Sequence, residues 1–271
     1  MAQGVAYGTV DREVGRRLAT TPPEEDGPVW MVNLLSYRDR AEYGDGSDGG
    51  ISGREADDRY KPVDVLEAIG AAPVLWADVE DQLLGDSPKW DRVGVVRYPT
   101  RRSFIEMQTR EDFREKHVHK EAGVAATIVT VCRPIRSPAD ELDRELPEWS
   151  DVPHPPTAED GPVMVLHLLL FHPGLVTTEM AAYTRDAIEV AAPHGGRVAG
   201  WFEVEGTIVG DGRQWDQARF NAFPSMAAFM AVVLDPARLE AQRDHREVAI
   251  ADTYTLVIRT EVDQLEQSRS W

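Results

Sequence analysis

Residues 245–253 read HREVAIADT, and residues 119–127 read HKEAGVAAT, with His, a basic residue, Glu, Ala and Thr in matching places. One such echo is ordinary helix grammar, so its surroundings decide what it means. PVWMVNLL (28–35) answers PVMVLHLL (162–169). LWADVEDQLLGDSPKWD (75–91) answers GWFEVEGTIVGDGRQWD (200–216), with Trp76 matching Trp201, Gly85 matching Gly210 and Trp90-Asp91 matching Trp215-Asp216. YPTRRSF (98–104) answers FPSMAAF (223–229). The offset drifts from 134 to 125 to 126, as loop insertions make it do. Collinear matches of this kind read as an internal duplication, which restricts the fold to two copies of one unit.

Each copy spells the same order of elements. A Val/Leu-rich strand comes first (28–37; 162–171). A helix follows (57–69; 178–192), the second copy placing Met180, Tyr183, Ala187 and Val190 at helical spacing. Gly70 and Gly195-Gly196 stand where a helix ends in a left-handed residue. Two strands joined by a Gly/Asp turn come next (73–84 with 91–98; 197–209 with 215–223). A short helix then opens at PTRRSF or PSMAAF, where Pro and Thr/Ser suit a helix start. The HKEAG/HREVA helix and a last strand, TIVTVCRP or TYTLVIRT, complete the unit. That order is β-α-β-β-α-β, the ferredoxin-like split unit. A sheet with helices on one face leaves its other face apolar, and a second copy in the chain can cover it. The expected class is therefore α+β: two tandem ferredoxin-like units (28–135 and 162–262) forming an intramolecular dimeric-α/β-barrel-type pseudo-dimer. Residues 1–27 and 263–271 are expected as tails, and the Pro- and acid-rich stretch 136–161 as a linker.

The 271 residues are 42% hydrophobic, enough for a sizeable core. The net charge of −18 argues against nucleic acid and anionic membrane as partners, leaving a small organic substrate. A single cysteine, Cys132, excludes an internal disulfide framework and suits a reducing cytosol. The N-terminal sequence lacks the order of a secretory signal. The longest apolar run, VMVLHLLLF, is far too short to span a bilayer. The expectation is a cytoplasmic protein; whether the tandem unit pairs again as a homodimer stays open.

A WD-led strand followed by FPSMAAF, Gly195-Gly196-Arg197 between the first helix and second strand, and His245-Arg246 near the end resemble the DUF1330 family of the dimeric α/β-barrel superfamily. The first copy keeps VNLL, Trp90-Asp91, YPTRRSF and His119-Lys120, but reads IGAAP where the second reads HGGR. The resemblance covers about 28–134 and 162–262. It implies the barrel fold and a superfamily that includes cofactor-free monooxygenases, polyketide cyclases, haem-dependent enzymes and plain ligand-binding proteins, among which fold alone does not choose.

No GxSxG, Walker loop, HExxH or CxxC is present. Candidates are therefore polar residues in apolar places. His167 lies mid-strand, sharing a face with Val163, Val165, Leu169 and Phe171, either as a satisfied core histidine or as a general base. Asn33 is its counterpart and a donor to a carbonyl oxygen. His245 and His119 lie on the second helices, facing either a pocket or solvent. Tyr183 and Tyr60 occupy equivalent places on the first helices, as core or as hydroxyl donors. Trp201 and Phe202 are candidates to line an aromatic-binding cavity, and Arg197 to bind an anionic group. His117 and His119, two apart on a helix, point away from each other, so no metal site is expected.

The leading functional expectation is a cofactor-independent enzyme that abstracts a proton from a partly apolar, carbonyl-bearing substrate and so cyclises, rearranges or oxygenates it. His167 or His245 would be the base, with Asn33, Tyr183 or Arg197 as donors; Arg197, Trp201, Phe202, His119 and Tyr60 would meet the substrate. The alternatives are a haem-dependent enzyme with a histidine ligand and a non-catalytic binding protein.

Overall fold

The computed structural model describes residues 7–47, 49–141 and 145–269. The chain opens with β1 (Thr9–Val10) and α1 (Arg12–Thr20). It continues through β2 (Val29–Tyr37), α2 (Gly53–Tyr60), α3 (Val63–Ala68), β3 (Ala72–Leu84), β4 (Arg92–Tyr98), α4 (Arg101–Met107), α5 (Glu111–Gly123) and β5 (Val124–Pro134). Short 3-10 turns at Pro138–Glu141 and Trp149–Asp151 lead to β6 (Val163–Phe171), α6 (Glu179–Ala191), β7 (Arg197–Gly210), β8 (Gln217–Phe223), α7 (Met226–Val233) and α8 (Pro236–Ala241). A π turn (Gln242–Arg246), α9 (Glu247–Ala249), β9 (Ile250–Asp263) and α10 (Leu265–Ser268) finish it.

All strand pairs are antiparallel. Within the first half the order is β5-β2-β4-β3, and within the second β9-β6-β8-β7. Two seams join the halves: β3 pairs with β9 (Val79 opposite Ile258) and β5 with β7 (Val131 opposite Gly206). Eight strands thereby close into a barrel, with β1 added beside the end of β7 (Thr9 opposite Gly210). Closure leaves none of the eight barrel strands with an unpaired partner side and gathers the bare faces inside. Leu34, Val95, Leu166, Phe220 and Leu256 fill the interior with almost no exposure. Each such side chain contributes roughly 1.5–3 kcal/mol by leaving water. The alternate residues of the same strands point outward under the helices, which is why β2 and β6 read as nearly continuous apolar runs.

Local grammar sets the helix ends. Thr100 and Ser225 cap α4 and α7 by accepting from the backbone N–H groups of Ser103 and Ala228. The first-half helix expected over 57–69 is instead two, α2 and α3, because Pro62 lacks the N–H an uninterrupted helix needs there. The flanks are not tails within the described residues. Asp11 caps α1, whose Val14 and Leu18, one turn apart, bury against the outer face of the first half. At the other end, Leu265 is fully buried in the barrel core, and Ser268 accepts from the Trp30 indole N–H at 2.9 Å. No helix among the described residues is long and apolar enough to cross a membrane.

Candidate functional site

A cavity of about 440 Å³ lies between the outer face of β6–β9 and the helices α6, α7 and α8. Leu169, Met180, Ala187, Ile188, Phe223, Phe229 and Val233 make its walls apolar. Leu83 and Leu84 of β3, with Ala139 and Leu146 of the connecting stretch, also line it. It is the kind of space that takes a small organic molecule: mainly apolar, with few polar groups.

Strand alternation delivers the first polar group. His167, between Leu166 and Leu168 of the barrel interior, turns the opposite way, toward the helices, and lines the cavity. Its Nδ1 pairs with the Thr255 hydroxyl across the β6–β9 ladder at 3.1 Å, leaving Nε2 with no hydrogen-bond partner among the described residues. Burial and then the charges of Arg246, Arg219 and Arg238 hold its pKa well below the usual histidine range. The ring is neutral at pH 7.

Arg219 stands directly opposite His167 in the β6–β8 pair. Its Nε and Nη2 donate to the Gln217 side-chain oxygen at 2.8 and 2.6 Å, and its Nη1 donates to the Thr184 hydroxyl at 3.3 Å. The guanidinium carbon lies over the Trp201 ring, 3.9 Å from its centroid. Arg246 arrives from the helical side. From cap to cap, the second-half helix run spans Asp235 to Ile250, one residue longer than Arg110 to Val124 in the first half. The π turn absorbs that residue and carries Arg246 on its last position. Arg219 and Arg246 are only 5% and 6% exposed, and neither meets a carboxylate among the described residues. Burial opposes both charges, but a guanidinium keeps its proton at neutral pH. Tyr183, from α6, lines the same space.

Of the residues singled out in the sequence, His167, Tyr183, Trp201 and Arg197 come together here. Arg197 sits toward the connecting stretch, with Nη2 donating to the Pro147 carbonyl at 3.1 Å and Cζ lying 5.3 Å from the Trp149 ring centroid. Phe202 does not join them. It follows Trp201 on β7 and therefore points into the barrel, against Trp30 and Phe220. His245 turns off the cavity to Glu179, with Nδ1 to carboxylate 2.7 Å. Asn33 bonds the Met31 carbonyl at 2.9 Å on the first-half sheet, His119 pairs with the Tyr43 hydroxyl at 2.8 Å, and Tyr60 packs edge-on to Phe113 and His117. Arg219, Arg246, Thr184 and Thr255 were not singled out. The signal for Arg219 was a cation inside the apolar strand QARFNAF; that for Arg246 was the basic half of the HR pair.

The first half fills the corresponding place from within. Gly94 stands where Arg219 would, and Trp76 lies on it. Tyr7, from the N-terminal segment, packs against Leu35 and Trp76, and its hydroxyl pairs with His117 Nε2 at 2.9 Å. Among the described residues no cluster of three or more His, Cys, Asp or Glu side chains could hold a metal ion.

No protein-family model and no curated protein matches the chain. Among solved structures, a protein of unknown function from Rhodopseudomonas palustris is 28% identical over 49% of this chain and 99% of its own, with a TM-score of 0.42. An anthrone oxidase-like protein is 14% identical over 89% of this chain and 96% of its own, with a TM-score of 0.55. A mutant chlorite dismutase from Candidatus Nitrospira defluvii is 10% identical over 94% of this chain and 98% of its own, with a TM-score of 0.50. The last two likenesses concern the fold alone.

Proposed function

We propose that the chain is a small-molecule enzyme built from two tandem ferredoxin-like units, 28–135 and 162–262, in which the second unit holds the working pocket and the first is structural. The matching strand orders of the two halves support the tandem reading, as do the reciprocal seams. The observation that carries the functional reading is a neutral, half-buried His167 with a free Nε2 inside an apolar cavity, beside buried cations that have no anionic partner among the described residues.

The chemistry comes from that arrangement. A carbon acid next to a carbonyl gives up its proton to His167 Nε2, and the electron pair moves onto the carbonyl oxygen as an enolate. Tyr183 and Arg219 are the donors for that oxygen, held in a site with little water to compete. Guanidinium charges that disfavour imidazolium in the free protein also acidify a bound carbon acid. Once the anion exists, it offsets the new charge on His167. No resident cofactor is needed for this step. The fate of the enolate, whether ring closure, rearrangement or attack on oxygen, is a property of the substrate.

Anthrone is a fitting first probe, being a flat apolar carbon acid with one carbonyl. Incubated anaerobically in D2O, it should exchange its methylene protons faster with the protein than without it, read by proton NMR. His167→Asn should abolish the acceleration while leaving the thermal midpoint in place. Full exchange in that variant discards His167 as the base. Binding of anthrone without any acceleration favours the non-catalytic alternative.

A haem-dependent reading has one observation on its side. His167, with its free Nε2 and anchored Nδ1, would hold the iron, and Arg219 and Arg246 would suit the propionates. When bound, haem would supply oxygen or peroxide chemistry. A Soret band that forms on titration with haemin and vanishes in His167→Asn would favour it.

A further inference from the structure

The chain carries 47 acidic residues against 29 basic ones, yet the described residues around the cavity include four arginines and not one Asp or Glu. Chance in an acidic protein runs the other way. Arg219 has its fork partly committed to Gln217 and Thr184. Arg246, equally buried, has no hydrogen bond or ion pair from its side chain to any described residue. Arg238 donates only to the Val233 carbonyl. An unpaired buried charge is a standing instability in the free protein, relieved when an anion arrives.

The first half sets a buried carboxylate within the field of the equivalent cation. Lys120 holds the place of Arg246, each next after the repeated histidine. Three residues before Tyr60 stands Asp57, a carboxylate only 2% exposed, which accepts from the Tyr37 hydroxyl at 2.7 Å and acts on Lys120 through its charge. Counted from the pairing of Tyr60 with Tyr183 read in the sequence, the counterpart of Asp57 is Met180, which lines the cavity. The second half has kept the cation and replaced the carboxylate with an apolar side chain.

We infer that the pocket takes an apolar molecule bearing a permanent carboxylate, seated on Arg246 where the first half has Asp57. This rests on the reading of the cavity as a substrate site and adds the substrate's charge to it. The carboxylate takes the free guanidinium fork, Met180 and the other apolar walls hold the ring system, and the reacting end meets His167. Neutral analogues of the same shape bind more weakly, because they leave Arg246 unpaired.

Calorimetric titration of the full chain with 2-naphthoate and with neutral 2-naphthamide tests this. Naphthoate should bind about tenfold or more tighter, the scale of one charge-assisted pair. Arg246→Gln should bring naphthoate to the amide's affinity, and its thermal midpoint without ligand should hold or rise, since an unpaired buried charge has gone. Met180→Asp, which restores the first-half arrangement, should weaken naphthoate by a similar factor and spare naphthamide. Equal affinities in the unmodified protein, or an anion preference that survives Arg246→Gln, overturns the carboxylate seat. Anthrone is neutral, so its His167-dependent exchange can persist in that event, and the enzymatic reading then stands without the seat. A naphthoate preference with no anthrone exchange keeps the seat and removes the proposed chemistry.

Discussion

Arg219 lies on the face of Trp201, its guanidinium carbon 3.9 Å from the ring centroid, whereas the matching Trp76 lies on Gly94, where no side chain exists. Both tryptophans carry a cation, since Arg92 lies over the Trp76 ring at 5.0 Å, but only in the second half does that cation come from the strand position opposite His167. Lysine cannot reproduce Arg219, because an ammonium neither stacks flat nor bonds Gln217 and Thr184 together. Arg219→Lys should lower anthrone exchange by about tenfold or more, the size of a lost oxyanion donor, with little change in thermal midpoint. In the other half, a Cβ on Gly94 would meet Trp76 Cζ3 at 2.5 Å. Gly94→Ala should therefore cost about 1–3 kcal/mol of stability through overpacking, measurable by urea denaturation, without touching exchange.

Thr255 bears on the chemistry through its bond to His167. Valine in its place keeps the shape and leaves Nδ1 without its 3.1 Å partner, so the ring is free to turn. Thr255→Val should reduce anthrone exchange by about tenfold with substrate affinity nearly unchanged. The pH profile is a separate check. The pKa of His167 lies well below the usual 6.5, so in the unmodified protein the rate should stay level as pH falls through 6.5 and decline only below it. A profile that bends at 6.5 would point to a different base.

Stability should also respond to acid, through a histidine in the first half. Burial, then the charge of Lys120, lowers the pKa of His117 to about 4, from 6.5 in an unfolded chain. A depressed histidine contributes stability that is complete above 6.5 and is lost as pH falls toward 4. The amount is on the order of 3 kcal/mol. Asp57, raised by burial, works in the opposite direction over part of that range, so the difference between two proteins is the useful measurement. His117→Phe keeps the ring contacts to Phe113 and Tyr60. Its urea midpoint should fall less steeply between pH 6.5 and 4 than that of the unmodified protein.

How much of this was legible in the sequence depends on what each residue's surroundings encode locally. Alternation along VMVLHLLLF was enough to turn His167 away from Leu166 and Leu168, and the capping residues and Gly/Asp turns marked most element boundaries. The same alternation should have separated Trp201 from Phe202, since neighbours on a strand face opposite ways. Arg219 was hidden by habit: a cation in a strand reads as a surface residue until the pairing register sets it opposite His167. The N-terminal segment was illegible for another reason. Its nine-residue helix buries only Val14 and Leu18, and nothing local says that Tyr7 will reach His117, 110 positions away.

That long-range contact makes a prediction of its own. Tyr7 covers Leu35 and Trp76, the counterparts of the cavity-lining Leu169 and Trp201, so the N-terminal segment occupies the first half's version of the pocket. Tyr7→Phe removes one hydrogen bond to His117 and should cost about 1 kcal/mol. Tyr7→Ala empties the space and should cost roughly 3 kcal/mol or more. If the groove persists once vacated, the alanine variant should also bind 8-anilinonaphthalene-1-sulfonate more strongly than the phenylalanine variant. Equal dye binding by both would show that the first half closes without its plug.

The extra residue in the second-half helix run offers the most direct separation of fold from site. The π turn at Gln242–Arg246 exists because fifteen steps from Asp235 to Ile250 replace the fourteen from Arg110 to Val124. Asp244 is exposed, and deleting it gives the second half the length that the first half folds with a regular α-helix. Without Asp244 the wide turn closes to an ordinary α turn, which places Arg246 three rather than four residues after Gln242 and changes the direction from which its guanidinium enters the cavity. Helix content by circular dichroism should hold or rise, because the wide turn gives way to ordinary i to i−4 bonds. Binding of 2-naphthoate should drop to the level of 2-naphthamide. A deletion variant that folds and still prefers the anion would mean that the π turn does not aim Arg246 at the ligand.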